Sequence, residues 1–126
     1  MWVYNQTSGR LYNDTVKREA AYSLGYAGLG AGKNNPDLAD RFNVGPLPVG
    51  VYRIGKPYDS PHTGLFTVPL DPLPENDMLG RGDFKVHGEN AEHPGESSNG
   101  CIVINRPARE RLALDAGKLL AVVSGR

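Results

Sequence analysis

The sequence predicts a mainly β fold, a β-sandwich or barrel with one helix near the C-terminus and long loops rich in glycine and proline. The 126 residues match the size of one domain, so we expect residues 1–126 to form a single domain. Long helices are limited because seven of the 10 prolines lie between Pro46 and Pro74. Short runs of β-branched and aromatic residues, each of strand length, lie between these breaks.

Six such runs predict the strands. They are Trp2 to Tyr4, Val49 to Ile54, Leu65 to Leu70, Asp83 to His87, Cys101 to Ile104 and Leu119 to Val123. The polar segment from Asn5 to Arg10 follows the first run and predicts a hairpin, in which Gly9 supplies the residue with positive φ. We therefore expect the first strands of the chain to pair with each other.

One helix is predicted, from about Arg106 to Ala116. Asn105 precedes it as a capping residue, and Pro107 falls in its first turn, where a missing N–H costs nothing. Gly117 follows the last apolar position of the helical pattern and is expected to end the helix.

Composition and charge exclude several classes of protein. Fourteen basic residues balance 14 acidic ones, so we expect no nucleic-acid partner and no anionic membrane partner. No apolar run approaches the roughly 20 residues of a membrane-spanning helix, and the first residues lack the pattern of a Sec signal. The single cysteine, Cys101, excludes an intramolecular disulfide and a zinc site built from several thiolates.

The most informative segment joins two predicted strands. The first strand ends in His87-Gly88, and Gly100-Cys101 opens the second after a polar loop. If the strands are neighbours, a thiol lies near an imidazole that can take its proton, which makes the thiol a nucleophile. N–H groups near Gly100 and Cys101 are then expected to face the oxyanion of an attacked carbonyl. Alternatively, Cys101 is a buried apolar residue and His87 a structural histidine.

These residues resemble a known motif. His87-Gly88, then a loop and Ser98-Asn99-Gly100-Cys101-Ile102, resembles the L,D-transpeptidase catalytic domain, a β-rich cysteine enzyme of peptidoglycan stem peptides. The segments Tyr22 to Gly28, Asn34 to Pro36 and Val44 to Ile54 are similar to the small L,D-transpeptidase effectors delivered by type VI secretion systems. The resemblance extends from about residue 3 to residue 105.

The resemblance implies a role for each motif residue. Cys101 takes the place of the acyl-forming nucleophile, His87 that of the general base, and Ser98 that of a residue that orients the histidine. Gly88 and Gly100 match the glycines of the motif, with Gly100 near the expected oxyanion hole. The resemblance implies no cofactor and no metal.

Two positions depart from the family pattern. Asn99 stands where many members have a histidine, and Val103 stands where many have an arginine that is a candidate contact for a substrate carboxylate. We therefore expect Arg81 or Lys85 to contact that carboxylate. The further expected substrate contacts are Tyr22, Tyr26 and Asn99.

The implied reaction is an acyl transfer through a thioester. Cys101 attacks the carbonyl of the meso-diaminopimelate to D-alanine bond of a tetrapeptide stem, and D-alanine leaves. Water then gives L,D-carboxypeptidase activity, whereas a free D-amino acid gives exchange. The resemblance further implies an antibacterial effector that acts in the periplasm of a target cell and has a cognate immunity protein as a partner.

Two alternatives remain open at this stage. A non-catalytic cell-wall binding module would keep the fold but bury or misalign the thiol, whereas a catalytic thiol is expected to react with iodoacetamide already at pH 6. A zinc-dependent peptidoglycan hydrolase would use three histidines with one carboxylate. Its candidate ligands are His62, His87, His93, Asp83, Glu89, Glu92 and Glu96.

Overall fold

The structure is a computed structural model that describes residues 1–15 and 22–126, with the backbone alone for Tyr22. It confirms the predicted mainly β fold with one α-helix in the described residues. The strands are β1 (Trp2–Asn5), β2 (Arg10–Asn13), β3 (Tyr22–Leu24), β4 (Tyr26–Ala27), β5 (Gly50–Ile54), β6 (Tyr58–Ser60), β7 (Gly64–Pro72), β8 (Phe84–His87), β9 (Ile102–Val103) and β10 (Leu119–Val123). Helix α1 spans Arg106–Ala113, and two 3-10 turns span Gly30–Gly32 and Pro36–Leu38.

The strands form one sheet that curls until its two ends meet. Its order is β3-β2-β1-β10-β5-β7-β8-β9-β4, with β6 paired to β7. The pairs β1/β10 and β8/β9 are parallel, and the other pairs are antiparallel. Only Gly25 separates the two end strands in sequence, and its N–H donates to the Gly9 carbonyl at 2.8 Å. The sheet is therefore a nearly closed barrel.

The predicted opening hairpin is confirmed. Strands β1 and β2 pair antiparallel, and Gly9 has a φ of 76° in the turn region that precedes β2. The hairpin implied a strand at β2, but the sequence did not predict β3, β4 or β6, which have two or three residues each. Runs this short carry little periodicity, so their pairing with longer strands defines them.

Alternating side chains of the strands fill an apolar core. Trp2 and Tyr4 of β1, Leu120 and Val122 of β10 are all buried, and Tyr52 of β5 is fully buried. The Tyr52 hydroxyl donates to the Pro48 carbonyl at 2.7 Å, which satisfies its polar end. Burial raises the pKa of both tyrosines above the usual range. The core therefore keeps both phenols neutral.

Helix α1 is three residues shorter than predicted. The Asn105 side chain accepts a hydrogen bond from the Ala108 N–H at 2.9 Å, as expected of an N-cap. The helix ends at Ala113, and the chain continues in turns to Gly117, which has a φ of 92°. The predicted end at Ala116 is wrong because the N–H groups of residues 114–116 donate to carbonyls three positions earlier, which tightens the last turn beyond an α-helix.

No helix within residues 1–15 and 22–126 has the length and hydropathy needed to span a bilayer.

Replacing Gly25 by alanine is expected to lower the free energy of unfolding by about 1 to 3 kcal/mol. A Cβ at this position would lie 2.3 Å from the Val103 carbonyl oxygen and 3.0 Å from the Ile104 Cβ. Urea denaturation followed by circular dichroism measures the change. Gly82→Ala is the matched control, because a Cβ there meets no atom within 4 Å. Equal unfolding midpoints for the two variants would contradict the prediction.

Candidate active site

The imidazole of His87 is buried at the end of β8, with 6% of the residue exposed. Its Nδ1 lies 2.9 Å from the Gly88 carbonyl oxygen. Because a carbonyl only accepts hydrogen bonds, Nδ1 carries the proton and Nε2 of the neutral ring keeps its lone pair. Burial lowers the pKa of His87, and the positive charges of Arg109 and Lys85 lower it further. The hydrogen bond to the Gly88 carbonyl and the charge of Glu89 raise the pKa in part. The ring is a neutral base whose free nitrogen is Nε2.

Cys101 lies immediately before β9, on the strand next to His87. The parallel register pairs Val86 with Ile102 and His87 with Val103. Side chains alternate along a strand, so Cys101 projects from the same face as Val103 and His87. Two residue steps and one strand spacing place the Cys101 and His87 Cα atoms about 8 Å apart. Within the described residues no hydrogen bond joins the two side chains, so the pair is adjacent but not yet in contact.

The Cys101 thiol is half-buried and protonated at neutral pH. Burial raises its pKa. The backbone N–H and ammonium of Lys85 and the Arg81 guanidinium lower the pKa in part, whereas the Asp83 carboxylate raises it. Burial of the thiol therefore opposes the fast alkylation at pH 6 that is expected of a catalytic thiol, and that expectation stays a prediction. A neutral thiol beside a neutral imidazole requires proton transfer during attack rather than a thiolate formed beforehand.

Ser98 is fully buried and holds the turn that leads into Cys101. Its Oγ accepts hydrogen bonds from the N–H groups of Gly28 at 2.8 Å and Gly100 at 3.1 Å. It donates to the Cys101 carbonyl at 2.5 Å. These bonds occupy the hydroxyl, which has no bond to His87 in the described structure. Ser98 thus orients the nucleophile turn rather than the histidine, and the Gly100 N–H is engaged by Ser98 instead of facing an oxyanion.

A buried guanidinium lies against each motif glycine. A Cβ on Gly100, whose φ is 138°, would lie 2.5 Å from Arg81 Nη2. A Cβ on Gly88 would lie 3.0 Å from Arg109 Nη1. Packing against Arg81 and the positive φ therefore favour glycine at position 100, and Arg109 leaves little room for a side chain at position 88.

The guanidinium of Arg81 is used almost entirely by the protein backbone. Nη1 donates to the carbonyls of Ala39 at 2.6 Å and Pro46 at 2.9 Å. Nη2 donates to those of Gly45 and Asn99, both at 3.1 Å. Four of its five N–H groups are thus occupied. Arg81 therefore does not fit the expected role of a substrate-carboxylate contact.

Lys85 fits that role better. Its Nζ lies 2.7 Å from an Asp83 carboxylate oxygen, and the two side chains are 15% and 89% exposed. Burial lowers the pKa of Lys85, but the hydrogen bond and charge of Asp83 raise it overall. Lys85 lies two residues before His87 and opposite Cys101 in the parallel register. An ammonium group is thus held near the thiol by the Asp83 carboxylate.

Tyr26 fixes the loop between the two motif halves. Its hydroxyl donates to the Glu89 carboxylate and accepts from the Ser97 N–H at 3.0 Å. The Lys33 ammonium lies 4.6 Å from the ring centroid. Tyr26 also lines a cavity of about 410 Å³ that Gly88 borders, so its expected substrate contact stays a proposal.

The other two expected substrate contacts differ in what the structure describes. The Asn99 side chain is exposed beside the nucleophile turn. The expected contact by the Tyr22 side chain lies outside the described residues.

A polar cavity of about 440 Å³ opens beside His87. Its ionisable lining residues are His62, His87, His93, Glu89 and Glu96. They are five of the seven candidate ligands of the zinc hypothesis, and Asp83 and Glu92 do not line this cavity. Among the described residues, however, no group of three or more histidine, cysteine or carboxylate side chains is placed to hold a metal ion. The zinc hypothesis gains no support from this geometry.

Sequence reasoning missed Arg109, the second buried guanidinium. Its Nε donates to the Phe66 carbonyl at 2.9 Å, and its Nη atoms reach the carbonyls of Ile104 and Leu65. A signal was present, because Arg109 follows Ala108 and precedes Leu112 by three positions. Helical spacing therefore puts it beside the buried stripe of α1.

A family model described as the Tlde1 domain matches residues 22–124 of this chain. The chain belongs to the Tlde1 domain family. This is the type VI secretion L,D-transpeptidase effector family that the motif resembles, so the resemblance is confirmed. The Tlde1 family acts on peptidoglycan with enzymes of the L,D-transpeptidase type.

The Tlde1 domain also shares its fold with two solved structures. Both are crystal structures of the helical cell shape determining protein Pgp2 from Campylobacter jejuni, one of a point mutant, with TM-scores of 0.62 and 0.60 at 19% identity. The similarity covers 99% of this chain and 47% of Pgp2, so the chain spans about half the length of that protein. No curated protein matches the chain.

The stability of this Tlde1 domain is expected to fall as the pH is lowered below about 6.5. In the unfolded chain His87 takes up a proton at its ordinary pKa, whereas burial lowers its pKa in the folded state. The unfolded state therefore binds more protons, and the loss grows until the pH passes the lowered folded-state pKa.

Urea midpoints between pH 7.5 and pH 5 measure this dependence in wild type and His87→Gln. The variant is expected to lose less stability over the range, because it lacks the titrating ring. His62→Gln is the control, since His62 is exposed and its variant should follow wild type. The prediction fails if His87→Gln also follows wild type throughout.

Proposed function

We propose that this Tlde1 domain cleaves the meso-diaminopimelate to D-alanine bond of tetrapeptide stems, as an L,D-carboxypeptidase that also exchanges the terminal D-alanine for other D-amino acids. One observation carries the proposal. The chain's single cysteine, Cys101, immediately precedes β9, whose parallel pairing with β8 sets Val103 beside His87, and the Nδ1 contact of His87 leaves Nε2 as the base. A structural role for either residue does not require this arrangement.

The reaction follows from the protonation states of the two groups. His87 Nε2 takes the Cys101 thiol proton while Sγ attacks the carbonyl carbon. The imidazolium then gives that proton to the leaving D-alanine nitrogen, and a thioester remains. Water, or the amine of a D-amino acid, attacks the thioester and passes a proton to Nε2. The proton returns to the sulphur as the thiol leaves.

The biological role that we propose follows from the family. A Tlde1 effector delivered into the periplasm of a target bacterium would shorten or exchange tetrapeptide stems and so remove the donors of cross-linking. The producing cell would then need an immunity protein that blocks the site, which is the partner that we propose.

Mass spectrometry of a purified disaccharide-tetrapeptide tests the activity. Wild type is expected to remove D-alanine, or to replace it by D-methionine when that amino acid is added, and EDTA should have no effect. Cys101→Ala should lose at least about a thousandfold in rate, because the nucleophile and base act as a unit. Ser97→Ala is the matched control near the motif and should retain turnover.

Two other outcomes of this assay would support the two alternative functions. Turnover that EDTA abolishes and Cys101→Ala retains would establish the zinc hydrolase. Retention of the disaccharide-peptide by wild type without any turnover would establish the binding module instead.

Lys85 is expected to bind the terminal carboxylate of the stem. That carboxylate is two bonds from the nitrogen that His87 protonates, and Lys85 lies about 6.6 Å from His87 along the same strand face. Wild type should therefore prefer a free terminal carboxylate over its amide by about 10- to 100-fold in kcat/KM. Lys85→Met should lose this preference.

The matched control for this prediction is Lys118→Met. Lys118 forms a comparable ion pair with Asp115 at 3.3 Å, and its side chain is 74% exposed. A Lys85→Met enzyme that still discriminates against the amide as wild type does would contradict the assignment.

A further inference from the structure

Arg81 carries a buried charge for which the described structure shows no ion pair. Only 8% of the residue is exposed, and its four hydrogen bonds go to backbone carbonyls of three separate segments. None of the ion pairs in the described residues includes it. Burying an unpaired cation is costly, and carbonyl dipoles offset only part of that cost. The cost of burying this charge therefore needs a physical reason.

The guanidinium lies against the turn that leads into Cys101. It donates to the Asn99 carbonyl, and it occupies the space where a Cβ of Gly100 would be. Phe84 packs on it with a ring centroid 5.1 Å away, so the group is fixed in place. The Gly100 carbonyl accepts from the Leu47 N–H at 2.9 Å. The backbone on the N-terminal side of the thiol is thus held from both sides.

The other charged groups that face Cys101 largely cancel each other. Lys85 and Asp83 form an ion pair at 2.7 Å on the β8 side of the sulphur. His87, on the same face, is neutral at pH 7 because burial lowers its pKa. Arg81 is the remaining charge close to the thiol.

Two further groups act electrostatically on Arg81, namely the neutral phenol of Tyr52 and the exposed carboxylate of Asp40. Neither carries a buried negative charge. The positive charge of Arg81 is therefore left for the sulphur side of the guanidinium.

We propose that Arg81 is a positioning residue for the nucleophile, which holds the Ser98–Cys101 turn and supplies the uncompensated positive charge that stabilises the Cys101 thiolate as it forms. The inference rests on the proposed function, in which Cys101 is the nucleophile. The electrostatics agree, because Arg81 lowers the pKa of Cys101 and the thiolate raises that of Arg81. A loss of the guanidinium should therefore make the thiol harder to ionise, beyond any loss of stability.

The pH dependence of iodoacetamide alkylation between pH 7 and pH 11 tests this in the complete chain without a substrate. In Arg81→Gln the midpoint of the rate profile should rise by about one unit, and the rate at pH 8 should fall about tenfold. Arg81→Lys keeps the charge and should stay near the wild-type midpoint. Arg53→Gln is the matched control, because Arg53 also donates to a backbone carbonyl, that of Gly117, but is exposed and on β5.

A purely structural role gives a different result. Arg81→Gln and Arg81→Lys would then both melt at lower temperature while their alkylation midpoints stayed at the wild-type value, which would overturn the proposal. If Arg81→Gln does not fold, Asp40→Asn decides. Removing this exposed carboxylate strengthens the field of Arg81 and should lower the midpoint by a few tenths of a unit. An unchanged midpoint would also overturn the proposal.

The alkylation profile and the peptidoglycan assay test separate claims, so either claim can fail without the other. A wild type that titrates as expected but leaves tetrapeptides intact would contradict the proposed function and not the placement of the charge. A wild type that turns over tetrapeptides while Arg81→Gln titrates normally would contradict only the role of Arg81.

Discussion

Two buried guanidinium groups donate hydrogen bonds to backbone carbonyls that are left unpaired by the sheet. The site depends on these hydrogen bonds. Loops that pass through a protein interior must find donors for their carbonyls, and one guanidinium offers five in a fixed fork. Arg81 serves the loops around the nucleophile, and Arg109 serves the end of β9 and the segment at Phe66. Arg81 leaves no room for a side chain at position 100, and Arg109 leaves little room for one at position 88. Glycine at both positions fits this crowding.

The same two cations act on the electrostatics of the proposed catalytic pair, Cys101 and His87. Arg109 lies beneath Gly88 and disfavours the imidazolium of His87, whereas Arg81 lies beside Gly100 and favours the thiolate of Cys101. Burial opposes the charged form of both groups. The free protein therefore holds a neutral pair, in which the field of Arg81 favours the proton transfer that attack requires and the field of Arg109 opposes it. This limits reaction of the thiol with other electrophiles until a substrate carbonyl is in place.

Local features of the fold were predictable and long-range ones were not. The cap at Asn105 and the turn at Gly9 follow from the conformational preferences of those residues, and the structure confirms both. The parallel pairing of β8 and β9, and the closure of the barrel at Gly25, depend on contacts between distant segments. The resemblance identified Ser98, but its hydrogen bonds to Gly28, Gly100 and Cys101 could not be predicted, because a motif gives residue types and not their hydrogen bonds.

The spacing of the motif is itself a consequence of the parallel pair. Strands that run parallel need a crossover of a dozen or more residues, and the 14 residues 88–101 supply it without a helix. Such a connection holds its shape only if other segments bind it. Tyr26 fixes its middle through Glu89 and Ser97, and Gly28 fixes its end through Ser98. Both residues come from the segment at β4, the strand that pairs with β9, so the strand that closes the barrel also positions the nucleophile.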